Sequence, residues 1–144
     1  MGATLKALRA VLDTATLVSA VLLRSDDWSW LRAAWKEARI VPVLCPTTTK
    51  ELIRVLNCPK FKLSPSDQQA CLAEILPFCE TSSNPSPLRE LPPCRDPRDQ
   101  VFLELAQESL VDCLVSEDRD AQEYPSVLGV RILSAVSLKE FMQL

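Results

Sequence analysis

The chain has 144 residues, 47% of them hydrophobic and 24% charged, which suits one compact domain with its own core and excludes a disordered chain. Histidine is absent, and the six cysteines (Cys45, Cys58, Cys71, Cys79, Cys94 and Cys113) form no CxxC pair, which excludes His-containing zinc sites and Ser-His or Cys-His nucleophile pairs. The net charge of −3 divides unevenly, with 10 Lys and Arg against 6 Asp and Glu in residues 1–72 and 6 against 13 in residues 73–144. An acidic whole is a poor general binder of nucleic acid, so a polyanion would have to meet the basic first half.

Lys6–Leu12 (KALRAVL) is apolar and reads as a buried strand ending at Asp13. Thr16–Leu23 follows as a helix, with Thr14 or Thr16 as its cap. Val11–Leu23 is the longest apolar run, but Asp13, Thr14, Thr16 and Ser19 interrupt it. It is too short and too polar to span a bilayer, and no signal peptide is read, so a cytoplasmic protein is expected. Trp28–Arg39 is an amphipathic helix, with Trp28, Leu31, Trp35 and Ala38 at helical spacing and Arg32, Lys36 and Arg39 on a second face.

Ile40–Leu44 (IVPVL) reads as a second strand despite Pro42. Pro46–Asn57 is a helix with Thr caps, and Ser64–Cys79 is a helix opened by a cap and a proline in its first turn. Thr81–Pro93, rich in Ser and Pro, holds a short extended stretch at most. Asp96–Ser109 is a helix, Asp112–Ser116 a third strand, Gly129–Leu133 another strand, and Ser137–Leu144 a closing helix with Glu140 in the capping-box position. Strands alternating with helices predict an α/β fold, three-layer α/β/α with a central parallel sheet of 4–5 strands, as a single domain over residues 1–144. The cysteines are expected to be reduced and mostly buried. With glycine only at Gly2 and Gly129, neither a P-loop nor a GxGxxG loop exists.

Open parallel sheets bind ligands beyond the carboxyl ends of their strands. Asp13 follows the first predicted strand, and Glu117 and Asp118 follow the DCLVS strand with Asp120 close behind. Asp96 and Asp99 sit at the start of a helix, and Glu51 lies on the helix after the second strand. Taken singly, Asp96 or Asp99 is more often a cap, Asp118 or Asp120 a turn former, and Glu51 a solvated helix residue. Asp13 is less ordinary, because an acid between an apolar strand and an apolar helix needs partners. Together the topology predicts that Asp13, Asp99 and Asp118 converge, with Glu51 reaching in. Clustered carboxylates without His or Cys suit a hard cation, Mg²⁺ or Mn²⁺.

Four segments then resemble one family, in order and over nearly the whole chain. LDTATLVSAVL resembles the opening of PIN domains, KELIRVLNCPKFKLSP the stretch with the family's second acid, CRDPRDQVFLELA the third and DCLVSEDRDAQ the fourth. Many members are Mg²⁺-dependent ribonucleases, and many small bacterial ones look like the VapC-like toxins of toxin–antitoxin pairs. The resemblance implies metal-dependent RNA hydrolysis with Asp13, Glu51, Asp99 and Asp118 as metal-site and catalytic acids. Asp96, Glu117 and Asp120 follow as second-tier ligands, and Thr14 as a neighbouring hydroxyl. It also implies RNA as substrate, a cognate antitoxin protein as partner and a homodimer.

Two departures stand out. Ala15 replaces the family's Asn or Ser, and Glu117 replaces a Gly before the fourth acid. The alternative function is a catalytically degenerate PIN-like module that binds protein or RNA, which Ala15 and the acidic total favour. A receiver-like domain lacks its paired acids and late lysine here. Arg24, Arg32, Lys36, Arg39, Lys50, Arg54, Lys60 and Lys62 are candidates for gripping an RNA backbone, although most such residues form solvated faces. Trp28, Trp30 and Trp35 are candidates for base stacking, with Trp28 and Trp35 expected in the core.

Overall fold

The computed structural model describes residues 7–86, 99–118, 122 and 130–142. Five parallel strands form one sheet in the order β3-β2-β1-β4-β5: β1 (Leu8–Leu12), β2 (Ile40–Leu44), β3 (Glu80–Thr81), β4 (Cys113–Val115) and β5 (Ile132–Leu133). The central strands are apolar runs, broken only by Arg9 in β1, because both of their faces are covered. Ala10, Leu12, Ile40, Leu44, Cys113 and Val115 pack into one core, and Val11, Val43, Cys45 and Leu114 into a second. That alternation is the two-residue period of a strand buried on both sides.

The first core lies under α1 (Thr14–Leu22), α2 (Asp26–Lys36), α3 (Pro46–Leu56), α4 (Pro65–Ile75) and α6 (Ala135–Met142). The second lies under α5 (Gln100–Glu108), through Phe102, Leu103, Leu105 and Ala106. The three-layer α/β/α architecture with a parallel sheet is as the sequence predicts, with five strands. Pro42 sits within β2 opposite Ala10 of β1, and β3 joins β2 only from Val43 onward. The proline therefore lies where one neighbouring strand pairs instead of two.

Several boundaries differ from the sequence reading. The cap of α1 is Asp13, not Thr14 or Thr16, and the helix starts at Thr14. Helix α2 starts at Asp26 and stops at Lys36, because Ala38 takes a left-handed conformation (φ 59°) and the Ala38 and Arg39 N–H groups turn back onto Trp35 and Ala34. Helix α4 tightens into a 3-10 turn over Leu76–Phe78, and a further 3-10 turn over Pro59–Phe61 follows α3. Helix α6 starts two residues before Ser137, because the Ser134 hydroxyl accepts the Ser137 N–H at 3.1 Å. The strand expected over 129–133 is limited to Ile132–Leu133 among the described residues.

The order of the strands decides where a ligand can sit. From β1 the chain runs outward through β2 and β3, then crosses back to build β4 and β5 on the other side of β1. The carboxyl ends of β1 and β4 therefore flank the point where the winding reverses, the usual crevice of such sheets.

Candidate active site

Asp13 and Ser116 stand on the two sides of that crevice. Asp13 directly follows β1 and is only 7% exposed. Its Oδ1 accepts the Thr16 backbone N–H at 2.9 Å, which caps α1, and its Oδ2 accepts the Ser116 hydroxyl at 2.6 Å. The Ser116 Oγ in turn accepts the Asp118 backbone N–H at 3.1 Å. One hydroxyl thus ties the buried acid after β1 to the half-buried acid after β4. Gln122 steadies the same turn, donating its side-chain amide to the Ser116 carbonyl at 2.8 Å and its backbone N–H to the Asp118 carbonyl at 3.0 Å.

Burial pushes the Asp13 carboxyl above the usual carboxylate range. The hydrogen bonds from Ser116 and Thr16 oppose that shift, and the charge of nearby Glu117 adds to it.

Asp13 and Asp118 open onto a cavity of about 590 Å³ whose wall also includes Thr14, Ala15, Glu51, Arg54, Val55, Cys58, Lys60, Asp99, Phe102 and Glu117. Asp99 immediately precedes α5 and makes no capping hydrogen bond with its side chain. Glu51 comes from α3, with Arg54 one turn further on: Arg54 Nε meets Glu51 Oε2 at 2.9 Å and Nη2 meets Oε1 at 2.6 Å. Glu117 is exposed, and its Oε1 accepts the backbone N–H of Ala135 at 2.7 Å, at the start of α6. Asp96 and Asp120 lie outside the described residues. The acids Asp13, Glu51, Asp99, Asp118 and Glu117 thus share one cavity with two cations, Arg54 and Lys60.

The donor set is all oxygen, apart from the Cys58 thiol in the wall. Among the described residues no three acids or cysteines stand close enough to grip one ion together. Mg²⁺ keeps several waters and takes one or two carboxylates directly. Carboxylates spread around an open cavity therefore fit a hydrated hard cation, with some contacts made through its waters.

The other basic and aromatic candidates are mostly occupied elsewhere. Arg24 and Lys36 lie 4.0 and 3.8 Å from Glu74. Arg32 donates to the Ala20 and Leu23 carbonyls at the end of α1, and Arg39 pairs with Glu37 at 2.8 Å. Lys50 lines a different cavity, and Lys62 follows the Pro59–Phe61 turn. Trp35 is buried, with its indole N–H on the Glu74 carbonyl. Trp28 and Trp30 pack half-buried against the same core.

In the sequence, Ser116 stands out only as the end of a strand. The available signal was a hydroxyl one residue before two acids at a strand's carboxyl end. The Glu51–Arg54 pair was legible as an i,i+3 spacing of opposite charges.

The PIN-domain family model matches residues 9–120. A chain of the crystal structure of VapBC2 from Rickettsia felis, bound to a DNA fragment from their promoter, has a similar fold. The TM-score is 0.62 at 14% identity, over 88% of the present chain and 98% of that one. No curated protein matches the sequence. No helix of the described residues is long and apolar enough to cross a membrane.

Proposed function

The chain belongs to the PIN-domain family, and from that premise we propose that it is a Mg²⁺- or Mn²⁺-dependent endoribonuclease, the toxin of a toxin–antitoxin pair. In this reading it works in the cytoplasm as a single domain over residues 1–144, able to form a homodimer. The observation that carries the reading is the cavity at the reversal of the sheet, where Asp13, Glu51, Asp99 and Asp118 share one wall. The antitoxin partnership leans on the likeness in fold to VapBC2.

Asp13, Asp99 and Asp118 would hold the ion directly or through its waters, and Glu51 would hold it or orient the attacking water. Two donors fix Asp13, so it meets a cation without rearranging. Its raised pKa has the same origin as its affinity: a buried carboxylate beside Glu117 gains more from a cation than a solvated one does. The bound divalent ion supplies Lewis acidity toward the phosphate and lowers the pKa of water. Hydrolysis then needs no covalent nucleophile. A water oxygen forms the new bond to phosphorus as the bond to the leaving ribose oxygen breaks, and the leaving oxygen takes a proton. Lys60 stands in the same wall to offset phosphate charge.

The test is cleavage of an RNA pool by purified protein in Mg²⁺ or Mn²⁺ and in EDTA. Cleavage that disappears in EDTA and returns with metal supports the reading. Folded protein that leaves RNA intact under every metal condition overturns it.

A further inference from the structure

A second cavity opens on the same edge of the sheet. It holds about 610 Å³ at the carboxyl ends of β2 and β3, and its wall carries Thr49, Lys50, Thr81, Ser82 and Ser83. Lys50 and Glu51 are consecutive on α3, yet Lys50 lines this cavity and Glu51 the acidic one, so a single turn of helix divides the two. Their places on the sheet, at β2–β3 and at β1–β4, differ by two strand spacings, roughly 10 Å.

The chemistry of the second wall is the opposite of the first. Among the described residues no carboxylate lines it. Lys50 is exposed, and neither it nor the hydroxyls of Thr49, Thr81, Ser82 and Ser83 have a side-chain partner among the described residues. Arg24, Lys36 and Arg39, by contrast, stand beside Glu74 and Glu37. The loop that brings the serines is fixed at both ends: the Ser82 N–H donates to the Leu44 carbonyl at 2.8 Å, and Asn84 Oδ1 accepts the Thr47 N–H at 2.9 Å. The first-turn N–H groups of α3 are already used, Thr47's by Asn84, Thr48's by the Cys45 thiol and Thr49's by the Cys45 carbonyl. What the cavity offers is therefore one ammonium and a set of hydroxyls, donors suited to phosphate oxygens.

Resting on the nuclease reading above, we infer that this second cavity is a subsite for the RNA backbone flanking the cut: Lys50 takes a phosphate a few nucleotides from the one at the acids, and the Thr49, Ser82 and Ser83 hydroxyls donate to its oxygens. An acidic chain gains little from phosphates in general, so a contact held off the carboxylates by one turn of helix supplies attraction where it is needed. It also fixes the path of the strand, across the first turn of α3. A merely solvated lysine predicts neither a dependence on RNA length nor a path.

The experiment titrates fluorescein-labelled oligouridylate with the full chain in Ca²⁺, reads anisotropy, and confirms that the RNA is intact afterwards. In wild type an octanucleotide should bind about tenfold more tightly than a dinucleotide. Lys50→Gln should lose most of that gain and flatten the slope of log affinity against log salt by about 0.7, the share of one phosphate on a single strand. Lys50→Arg, which keeps the charge, should keep both. Lys139→Gln removes the same charge from α6, beside Trp30, and should also keep both. Glutamine is a good helix former at an exposed position, and melting curves establish that each variant is folded. Wild type supplies a test that needs no variant: bound octanucleotide should protect Lys50 from acetylation, read by mass spectrometry, and the dinucleotide should not. Full length gain and full salt slope in folded Lys50→Gln, or equal acetylation of Lys50 with and without the octanucleotide, overturns the subsite and leaves the nuclease reading standing. Folded wild-type protein that neither binds nor cuts RNA overturns both.

Discussion

The Ser116 hydroxyl donates to Asp13 Oδ2 across 2.6 Å, joining residues 103 positions apart at the carboxyl ends of two adjacent strands. Because the same oxygen accepts the Asp118 N–H, this one contact sets the spacing between two of the cavity's acids. Ser116→Ala would leave Asp13 buried with one fewer donor. Its carboxyl should rise further above the ordinary range, and the acidic limb of a cleavage pH profile should move to higher pH. A loss of about tenfold to a hundredfold in metal affinity is expected, as for other residues that orient a ligand. An unmoved pH profile would show that the hydroxyl does not tune Asp13.

Asp13→Asn should remove metal-dependent cleavage, by at least about a hundredfold. It should also stabilise the metal-free protein at neutral pH. The carboxyl is raised in the folded state, chiefly by burial, so the charged form is disfavoured there. The stability linked to its protonated form is fully present below the unfolded pKa and is lost as pH rises through the folded one. Asparagine carries no charge and caps a helix as well as aspartate does. In EDTA, the melting temperature of wild type should fall as pH climbs through that window, and the variant's fall should be shallower. Parallel curves would remove Asp13 as the source of the dependence.

Strands β1, β2 and β4 were legible because they are apolar runs interrupted only by Arg9, whereas β3, two residues long, was not. Helix ends were less legible. Asp13 is both a candidate ligand and the cap of α1, a double role that no sequence pattern distinguishes. The closing helix starts early because Glu117, 18 residues away, accepts its first N–H while Ser134 caps the Ser137 N–H. Such partners are set by tertiary approach, so Ser137 and Glu140 looked sufficient by themselves. The cavity's cationic side was hidden for a related reason. Eight basic residues looked equivalent in sequence, and only packing shows that Arg32 serves the end of α1 while Arg54 faces the acids.

Leu110 follows α5 with φ 53° and is 83% exposed, so a bulky side chain sits in a left-handed turn without burying its surface. The turn is fixed by hydrogen bonds from the Leu110 N–H to Gln107 and from the Val111 N–H to Ala106. Leu110→Gly should stabilise the protein by about 1 kcal/mol, relief of left-handed strain outweighing the added freedom of the unfolded chain. Urea unfolding checks it, and a lower midpoint with unchanged slope would mean that the leucine contributes packing instead.

The five cysteines among the described residues are all free thiols. Burial pushes the Cys79 and Cys113 thiols up to about 12, so almost none of either is thiolate at neutral pH. In native protein both should resist a disulfide exchange reagent, whereas Cys58, half-buried in the cavity wall, should react. Mass spectrometry of labelled peptides reads this directly. Label on Cys113 as early as on Cys58 would mean that the sheet opens on the time scale of labelling.

Magnesium should raise the melting temperature, since an ion that binds only the folded cavity stabilises it by mass action, about 2.7 kcal/mol at a hundred times its dissociation constant. The effect should be larger at pH 8 than at pH 5, because the ion must displace the proton that burial favours on Asp13. Sodium at matched ionic strength controls for screening, which weakens repulsion among Asp13, Asp99, Glu117 and Asp118 without occupying the cavity. Asp13→Asn separates the two effects. If the magnesium shift survives undiminished in that variant, the ion binds away from the β1 end and the carboxylates there are held apart by packing alone.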